Sequence, residues 1–385
     1  MFNVQQLREN EFPHSLHQLF FNSASICLLP KRVQAKMNDS SQRLMADPFS
    51  HWRDEIMPML AGMGETLIRM INADKVEEIT PITSTSYGLN ALAQSIPWQV
   101  GDNVVLCDVE FPANVYPWMS LERDGVEARF VPSHNGGLTV EALAEAVDAR
   151  TRVVTVSMVQ FFTGHRSDLM ALGQFCHDRG ILFVVDAIQA IGHIPLDVQA
   201  MHIDALVTGG QKSLLAAPGT GFMYVREAVC EILRPRFIGG NGTKDYMFWL
   251  DYDITPAPGA ARFGMGTPNA VGLVGMTESV KLLRELGVAA IDQHTSAVAQ
   301  AAMTMLDRIG YEVITPREAH AGIVTFVSGR DSAATDQFIN DLREHKVAAV
   351  KHLDRSGKAH IRFSFHCYNT VEEIDQVETI LRQLR

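Results

Sequence analysis

The chain predicts an α/β fold, with a large domain built on a mostly parallel sheet and a smaller α+β domain after it. Three observations carry this expectation. Between residues 80 and 225, apolar β-branched runs alternate with segments of helical spacing, the pattern of βαβ units. Two of those runs lead into chemically distinctive residues, Asp186 at the end of one and Lys212 shortly after the other. From about residue 288 the order changes to helix, strand, helix, strand, helix, which is the pattern of a compact α+β unit. The expected division is residues 1–20 as an N-terminal segment of the small domain, 21–287 as the large domain and 288–385 as the small one.

In chain order, the strand candidates of the large domain are 103–107, 128–131, 152–156, 181–185, 205–207 and 221–225. Their continuous Val, Ile, Leu and Phe content is what a strand covered on both faces requires. Residues 89–95, 139–147 and 169–179 carry helical spacing. Residues 256–266, rich in Ala, Gly and Pro, predict a long loop, and long loops in compact domains are often functional. The C-terminal elements are a helix over 289–309, a strand over 322–327, a helix over 334–344, a strand over 359–365 and a helix over 371–384. Ligands of open parallel sheets bind beyond the carboxyl ends of the strands, so Asp186 and the loops after residues 107 and 156 are expected to face one crevice.

Composition bounds the function. With 385 residues and 46% hydrophobic content the chain can bury a large core. A net charge of −11, from 33 basic and 44 acidic residues with the basic ones scattered, argues against a nucleic-acid surface. Cys27, Cys107, Cys176, Cys230 and Cys367 are odd in number and widely spaced without a CxxC pair, so neither a zinc site nor a disulfide framework is indicated. The start lacks a basic region followed by an apolar one, and no run of about 18 apolar residues occurs, so no membrane association and a reducing, cytoplasmic setting are expected.

The chemistry is concentrated in residues 182–212. An Asp at the end of a buried strand can keep a nearby pyridine nitrogen protonated, and a Lys on a Gly-rich turn can condense with an aldehyde. Gly209 and Gly210 before Lys212 allow close backbone approach, and the apolar residues 214–217 after it suggest a dry environment that favours the neutral, nucleophilic amine. Together the pair describes a pyridoxal phosphate site, although strand-end aspartates and single lysines also occur for structural reasons alone. Thr83-Ser84-Thr85-Ser86-Tyr87-Gly88, just before a helical segment, supplies the hydroxyl and N–H donors that a phosphate needs; by itself such a run is more often a plain helix cap.

At this point the chain resembles the class V aminotransferase superfamily, the fold type I pyridoxal phosphate enzymes that include cysteine desulfurases, isopenicillin N epimerase-like proteins and serine-pyruvate aminotransferases. The resemblance runs from residues 20–25 to 368–370 through Thr85–Asn90, Glu110–Trp118, Asp186–Gln189, Gln211-Lys212, Gly266–Asn269 and Arg362–Ser364. It implies that Lys212 carries the cofactor and moves the Cα proton, with Gln211 beside it, and that Asp186 pairs with the ring nitrogen. It implies further that Gln189 hydrogen-bonds the ring 3-oxygen, that Thr85 and Ser86 hold the phosphate, and that Phe111, where relatives often place a histidine, stacks on the ring. Thr267 matches a threonine that reaches the phosphate of the neighbouring subunit, which implies a homodimer with shared sites. Arg362 matches the arginine that grips the substrate α-carboxylate, with Ser25 and Gln160 beside the substrate. His165 and Arg166, in the loop after Gln160, are expected to serve structure. The partner implied is a small amino-acid substrate.

The departures bear on reaction type. A persulfide-forming desulfurase needs a thiolate on a mobile loop before the carboxylate-binding arginine, and residues 347–361 contain no cysteine, while Cys367 lies beyond Arg362. Gln211 stands where desulfurases usually have histidine, Gly209 where they have a phosphate-binding serine, and the residues after Lys212 look more like serine-pyruvate aminotransferases. These features rank transamination first, with carbon–sulfur β-elimination or epimerisation as alternatives, and set persulfide-type desulfuration aside. A non-catalytic scaffold with a degraded site is the remaining rival, against which intact Asp186 and Lys212 weigh.

Overall fold

The computed structural model describes residues 2–245, 247, 250 and 252–384. Its strands are β1 (Leu19–Phe20), β2 (Ile79–Pro81), β3 (Asn103–Cys107), β4 (Glu127–Val131), β5 (Thr151–Ser157), β6 (Leu182–Asp186), β7 (Ala205–Gly209), β8 (Gly221–Val225), β9 (Ile323–Val327), β10 (Val347–Ala348), β11 (Val350–Leu353) and β12 (Ala359–Ser364). Seven of them form the central sheet in the order β2-β8-β7-β6-β5-β3-β4. The five interior strands β3, β5, β6, β7 and β8 are buried almost throughout, which is why their sequences read as continuous apolar runs instead of alternating ones. Because successive side chains point to opposite faces, Val104, Leu106, Val184 and Val207 pack into one apolar cluster, while Val105, Val154, Val185 and Leu206 pack into the other.

The sheet is parallel except at β8, which runs antiparallel to both β7 and β2. The reason is length: the segment 210–220 is too short for a parallel crossover, which takes about a dozen residues or more, so the chain turns straight back beside β7. That short return is the lysine turn. The helix expected at 89–95 spans Thr85–Ala93, so Thr85 and Ser86 form its first turn, with Ser84 as the cap whose hydroxyl accepts from Tyr87 N at 3.1 Å. Two long helices, Met57–Ile71 and Ala270–Leu286, join the apolar cluster on one face of the sheet, and a third, Lys31–Ala46, packs Val33 and Met37 against Gly275 of the Ala270–Leu286 helix.

A third apolar cluster gathers Val298, Phe326, Phe338, Phe363 and Ile374 around the sheet β11-β12-β9. Leu19 and Phe21 belong to it, and β1 pairs in parallel with β10. The first helix, Val4–Glu11, contributes Leu7 to the cluster of the large sheet and pairs Arg8 with Glu373 of the last helix, Val371–Gln383, at 2.8 Å. The strand β11, only four residues long and without a distinct apolar run, pairs antiparallel with β12 and places Val350 opposite Arg362. Among the described residues no helix is long and apolar enough to cross a membrane.

Candidate active site

The carboxyl ends of β5, β6 and β7 open on one crevice, with the loop after β3 beside them. Ser157, the last residue of β5, is in register with Asp186, the last of β6, and Asp186 is in register with Val207 of β7. The lysine turn is locked from several sides. Gly210 N donates to Thr220 O at 2.8 Å, Ser213 Oγ to Ile188 O at 2.8 Å, and Cys27 N to Gln211 O at 2.9 Å. Leu215 adopts a left-handed backbone at φ 54° while fully buried, a strained conformation that persists because its surroundings enforce it. A Cβ at Gly209 would lie 2.6 Å from Gln211 Oε1 and 3.3 Å from Thr85 Oγ1, so the absence of a side chain there lets the turn close on the helix start.

Lys212 is 9% exposed, and its Nζ lies 5.1 Å from the centre of the Phe111 ring. Burial pushes its amine down to about 8; Asp186 pulls the other way, and Arg362 adds to the lowering. Asp186 is 2% exposed and accepts a hydrogen bond from Ile188 N at 3.0 Å. Burial raises its carboxyl to about 7, with Lys212 opposing and Glu110 contributing in the same direction as burial. A buried carboxylate in this position is short of a cation, which the protonated ring nitrogen of pyridoxal phosphate would supply.

The other expected residues divide. Gln189 is buried and donates through Nε2 to Ala24 O at 3.0 Å. Thr85 is buried at the helix start, whereas Ser86 is exposed. Arg362 is 2% exposed, donates to Phe161 O at 2.8 Å and to Ser25 Oγ at 2.9 Å, and is lowered by burial to about 10. Phe111 packs edge-on against Phe161 with ring centres 5.0 Å apart, forming an aromatic wall beside Lys212. Gln160 is fully buried and donates to Glu110 Oε1 at 2.5 Å. Thr267 is exposed and stays apart from this cluster; Tyr87 Oη donates to Phe263 O at 2.9 Å, which ties the loop holding Thr267 to the helix that Thr85 begins. His165 and Arg166 are engaged elsewhere, with Asn135 O and Asp292 respectively.

Two residues of the crevice had no role in the sequence reading. Glu110, just before Phe111, is a buried acid that accepts from Ser157 N at 2.8 Å and from Gln160. His352, on β11, packs edge-on against Phe161 with centres 5.6 Å apart, and burial with nearby Arg362 holds it down to about 4, so it is neutral. Its signal was the alternation in 350–353, too short to stand out.

The residues fit the cofactor. Thr85 Oγ1, Gln160 Oε1 and Arg362 Nε are buried polar atoms without a partner, and all belong to this crevice. Unpaired buried polar groups are costly, so their convergence marks a site made for a polar ligand. A helix N-terminus with a free hydroxyl suits a phosphate, and a guanidinium with a spare N–H suits a carboxylate.

Comparison with known proteins agrees. The model of the family described as Aminotransferase class-V matches residues 19–377. A probable cysteine desulfurase of Methanothermobacter thermautotrophicus is 30% identical over 333 residues, covering 83% of this chain and 82% of that protein. A cysteine desulfurase of Enterobacter sp. (strain 638) is 29% identical over 327 residues, covering 82% and 79%. Among solved structures, the apo cysteine desulfurase from Thermococcus onnurineus NA1 superposes with a TM-score of 0.89 at 24% identity, covering 100% of this chain and 98% of that one. The cystine C–S lyase C-DES, in complex with its reaction product cysteine persulfide, superposes with a TM-score of 0.87 at 22% identity, covering 96% and 99%. At these identities the two structures speak for the fold alone. The ranking that put transamination first and set desulfurases aside draws no support from the relatives, whose names point to desulfuration. On the family match, the fold and the lysine–aspartate crevice, the chain belongs to the class V aminotransferase family and is a pyridoxal phosphate-dependent enzyme.

Proposed function

We propose that this enzyme cleaves the carbon–sulfur bond of a cysteine-type α-amino acid by elimination, releasing sulfur without passing it to a cysteine of its own. The observation that carries the choice of route is the state of the thiols. All five cysteines are buried, burial pushes Cys27, Cys107, Cys176 and Cys230 up to about 12 and Cys367 higher still, and the segment before Arg362 presents His352 over the crevice. None of these thiols is placed or charged to receive sulfur. The named activities of the relatives supply the bond and the substrate class.

When bound, pyridoxal phosphate supplies an aldehyde for the substrate amino group and a ring that accepts the electron pair left at Cα. Lys212 would take the Cα proton on Nζ, a task suited to an amine whose proton affinity burial has lowered toward neutrality. Asp186 would hold the ring nitrogen cationic, Gln189 would hydrogen-bond the ring 3-oxygen, and Gln211 would line the turn. Thr85 and Ser86 would bind the phosphate and Phe111 would cover the ring face and exclude water. Arg362, steadied by Ser25 and the Phe161 carbonyl, would orient the carboxylate. Thr267, exposed in the single chain, would complete the site from a second copy, which makes a homodimer part of this reading.

The overall change is cysteine plus water giving pyruvate, ammonium and sulfide, and it needs no oxidant. Holoenzyme given L-cysteine or L-cystine should produce pyruvate in step with released sulfur. Alanine as the carbon product, with persulfide on the protein, would overturn the elimination route. Transamination is the second reading, favoured by the aminotransferase-like residues 217–220 after the lysine. It would appear as keto acid that exceeds one equivalent per site only when a second keto acid is present to take the amino group.

A further inference from the structure

A chain of hydrogen bonds with fixed polarity runs from a buried tryptophan into the crevice. The indole N–H of Trp118 can only donate, and it donates to Asn114 Oδ1 at 3.1 Å, where Thr155 Oγ1 also donates at 2.7 Å. With its oxygen engaged, Asn114 turns its amide nitrogen to Glu110 Oε2 at 3.0 Å. Glu110 also accepts from Ser157 Oγ on that oxygen, and from Ser157 N at 2.8 Å and Gln160 Nε2 at 2.5 Å on the other. Four donors on two oxygens satisfy an ionised carboxylate, which has no proton to give. Burial raises the Glu110 carboxyl overall and the donated bonds offset only part of that rise, so its acceptor role rests on the donors that face it, Asn114 Nδ2 on one oxygen and Ser157 N on the other.

An acceptor-only carboxylate settles the last link. Gln160 must meet it with nitrogen, which turns Gln160 Oε1 away from Glu110, and that oxygen is buried with no partner. Gln160 sits between two parts of the site. Three residues before it, Ser157 stands in register with Asp186; immediately after it, Phe161 accepts from Arg362 and packs its ring on Phe111. An α-amino acid carries its amino group and its carboxylate on one carbon, so the acceptor for the first must lie next to the donor for the second. Gln160 beside the Phe161–Arg362 contact meets that requirement.

We propose that Gln160 Oε1 accepts a hydrogen bond from the amino group of the incoming substrate, and that Glu110 is the positioning residue that holds it in that orientation. The proposal rests on reading the crevice as an α-amino acid site. Glu110→Gln keeps the volume but offers both a donor and an acceptor, so Gln160 is free to flip; Gln160→Leu removes the oxygen outright.

The test uses borohydride-reduced holoenzyme, in which the cofactor is fixed to Lys212 and turnover cannot occur. Calorimetry measures binding of L-alanine and of propionate, which has the carboxylate but no amino group. Each variant should bind L-alanine about tenfold or more weakly, as for loss of a hydrogen bond to a charged group, and propionate within about twofold of the parent. A merely structural role would weaken both ligands alike, and that result, or unchanged L-alanine binding, would overturn the assignment. If Glu110→Gln does not fold, Gln160→Leu decides. A parent enzyme that binds propionate and not L-alanine would overturn the amino-acid reading itself, and this assignment with it.

Discussion

The lowered proton affinity of Lys212 has a kinetic consequence that can be measured before any substrate is known. Only the neutral amine can attack the cofactor aldehyde, so capture of pyridoxal phosphate by the apoenzyme should follow the neutral fraction of this one group. Burial penalises the ammonium, Arg362 adds a smaller like-charge penalty, and Asp186 offsets part of both, leaving a value of about 8 against 10.5 for an ordinary lysine. At pH 7 that makes about one amine in eleven neutral, where a solvated lysine would offer roughly one in three thousand, a ratio of about 300. The rate of capture, followed by the absorbance of the lysine-bound cofactor, should rise about tenfold from pH 6 to pH 7 and flatten above about pH 9. A rate that keeps climbing through pH 10 would mean that the amine is solvated, and would refute the argument that a dry turn activates it. Lys212→Ala should show no capture at any pH.

Other consequences follow from the same geometry. Arg362→Ala should weaken binding of the substrate carboxylate by about 1.5–3 kcal/mol, roughly tenfold to more than a hundredfold, read as a rise in KM that exceeds the fall in kcat. Thr85→Val, which keeps the shape of a side chain whose hydroxyl has no partner within the protein, should leave the melting temperature of the apoenzyme nearly unchanged while raising the Kd for pyridoxal phosphate several-fold; an unchanged Kd would remove Thr85 from the phosphate site. Phe183→Ala, at a fully buried position on β6, should cost about 3–5 kcal/mol in denaturant unfolding, and a cost under about 1 kcal/mol would mean that the sheet core repacks freely around it.

The strands and the two reactive residues were legible because their signals are local. A strand covered on both faces must be apolar along its whole length, and β3, β5, β6 and β8 were visible for that reason. Asp186 and Lys212 stood out because each breaks such a run at its end. The amphipathic helices Lys31–Ala46 and Met57–Ile71 were harder to read, since each buries only a few of its residues and the rest follow solvent.

By itself the sequence determined which chemistry is available: a lysine on a glycine turn, an acid at a strand end, hydroxyls at a helix start and an arginine late in the chain. Only the tertiary structure decided which of these meet, and what else joins them. Arg362 reaches Ser25 and Phe161 from 337 and 201 residues away, and Glu110 gathers Ser157 and Gln160 from 47 and 50 residues away. No local pattern encodes such contacts, because they depend on how strands are ordered in the sheet and on which loops that order brings to its carboxyl edge. The same holds for the burial that moves Asp186 and Lys212 toward neutrality, a property of the surrounding atoms that the two side chains do not carry in their own sequence.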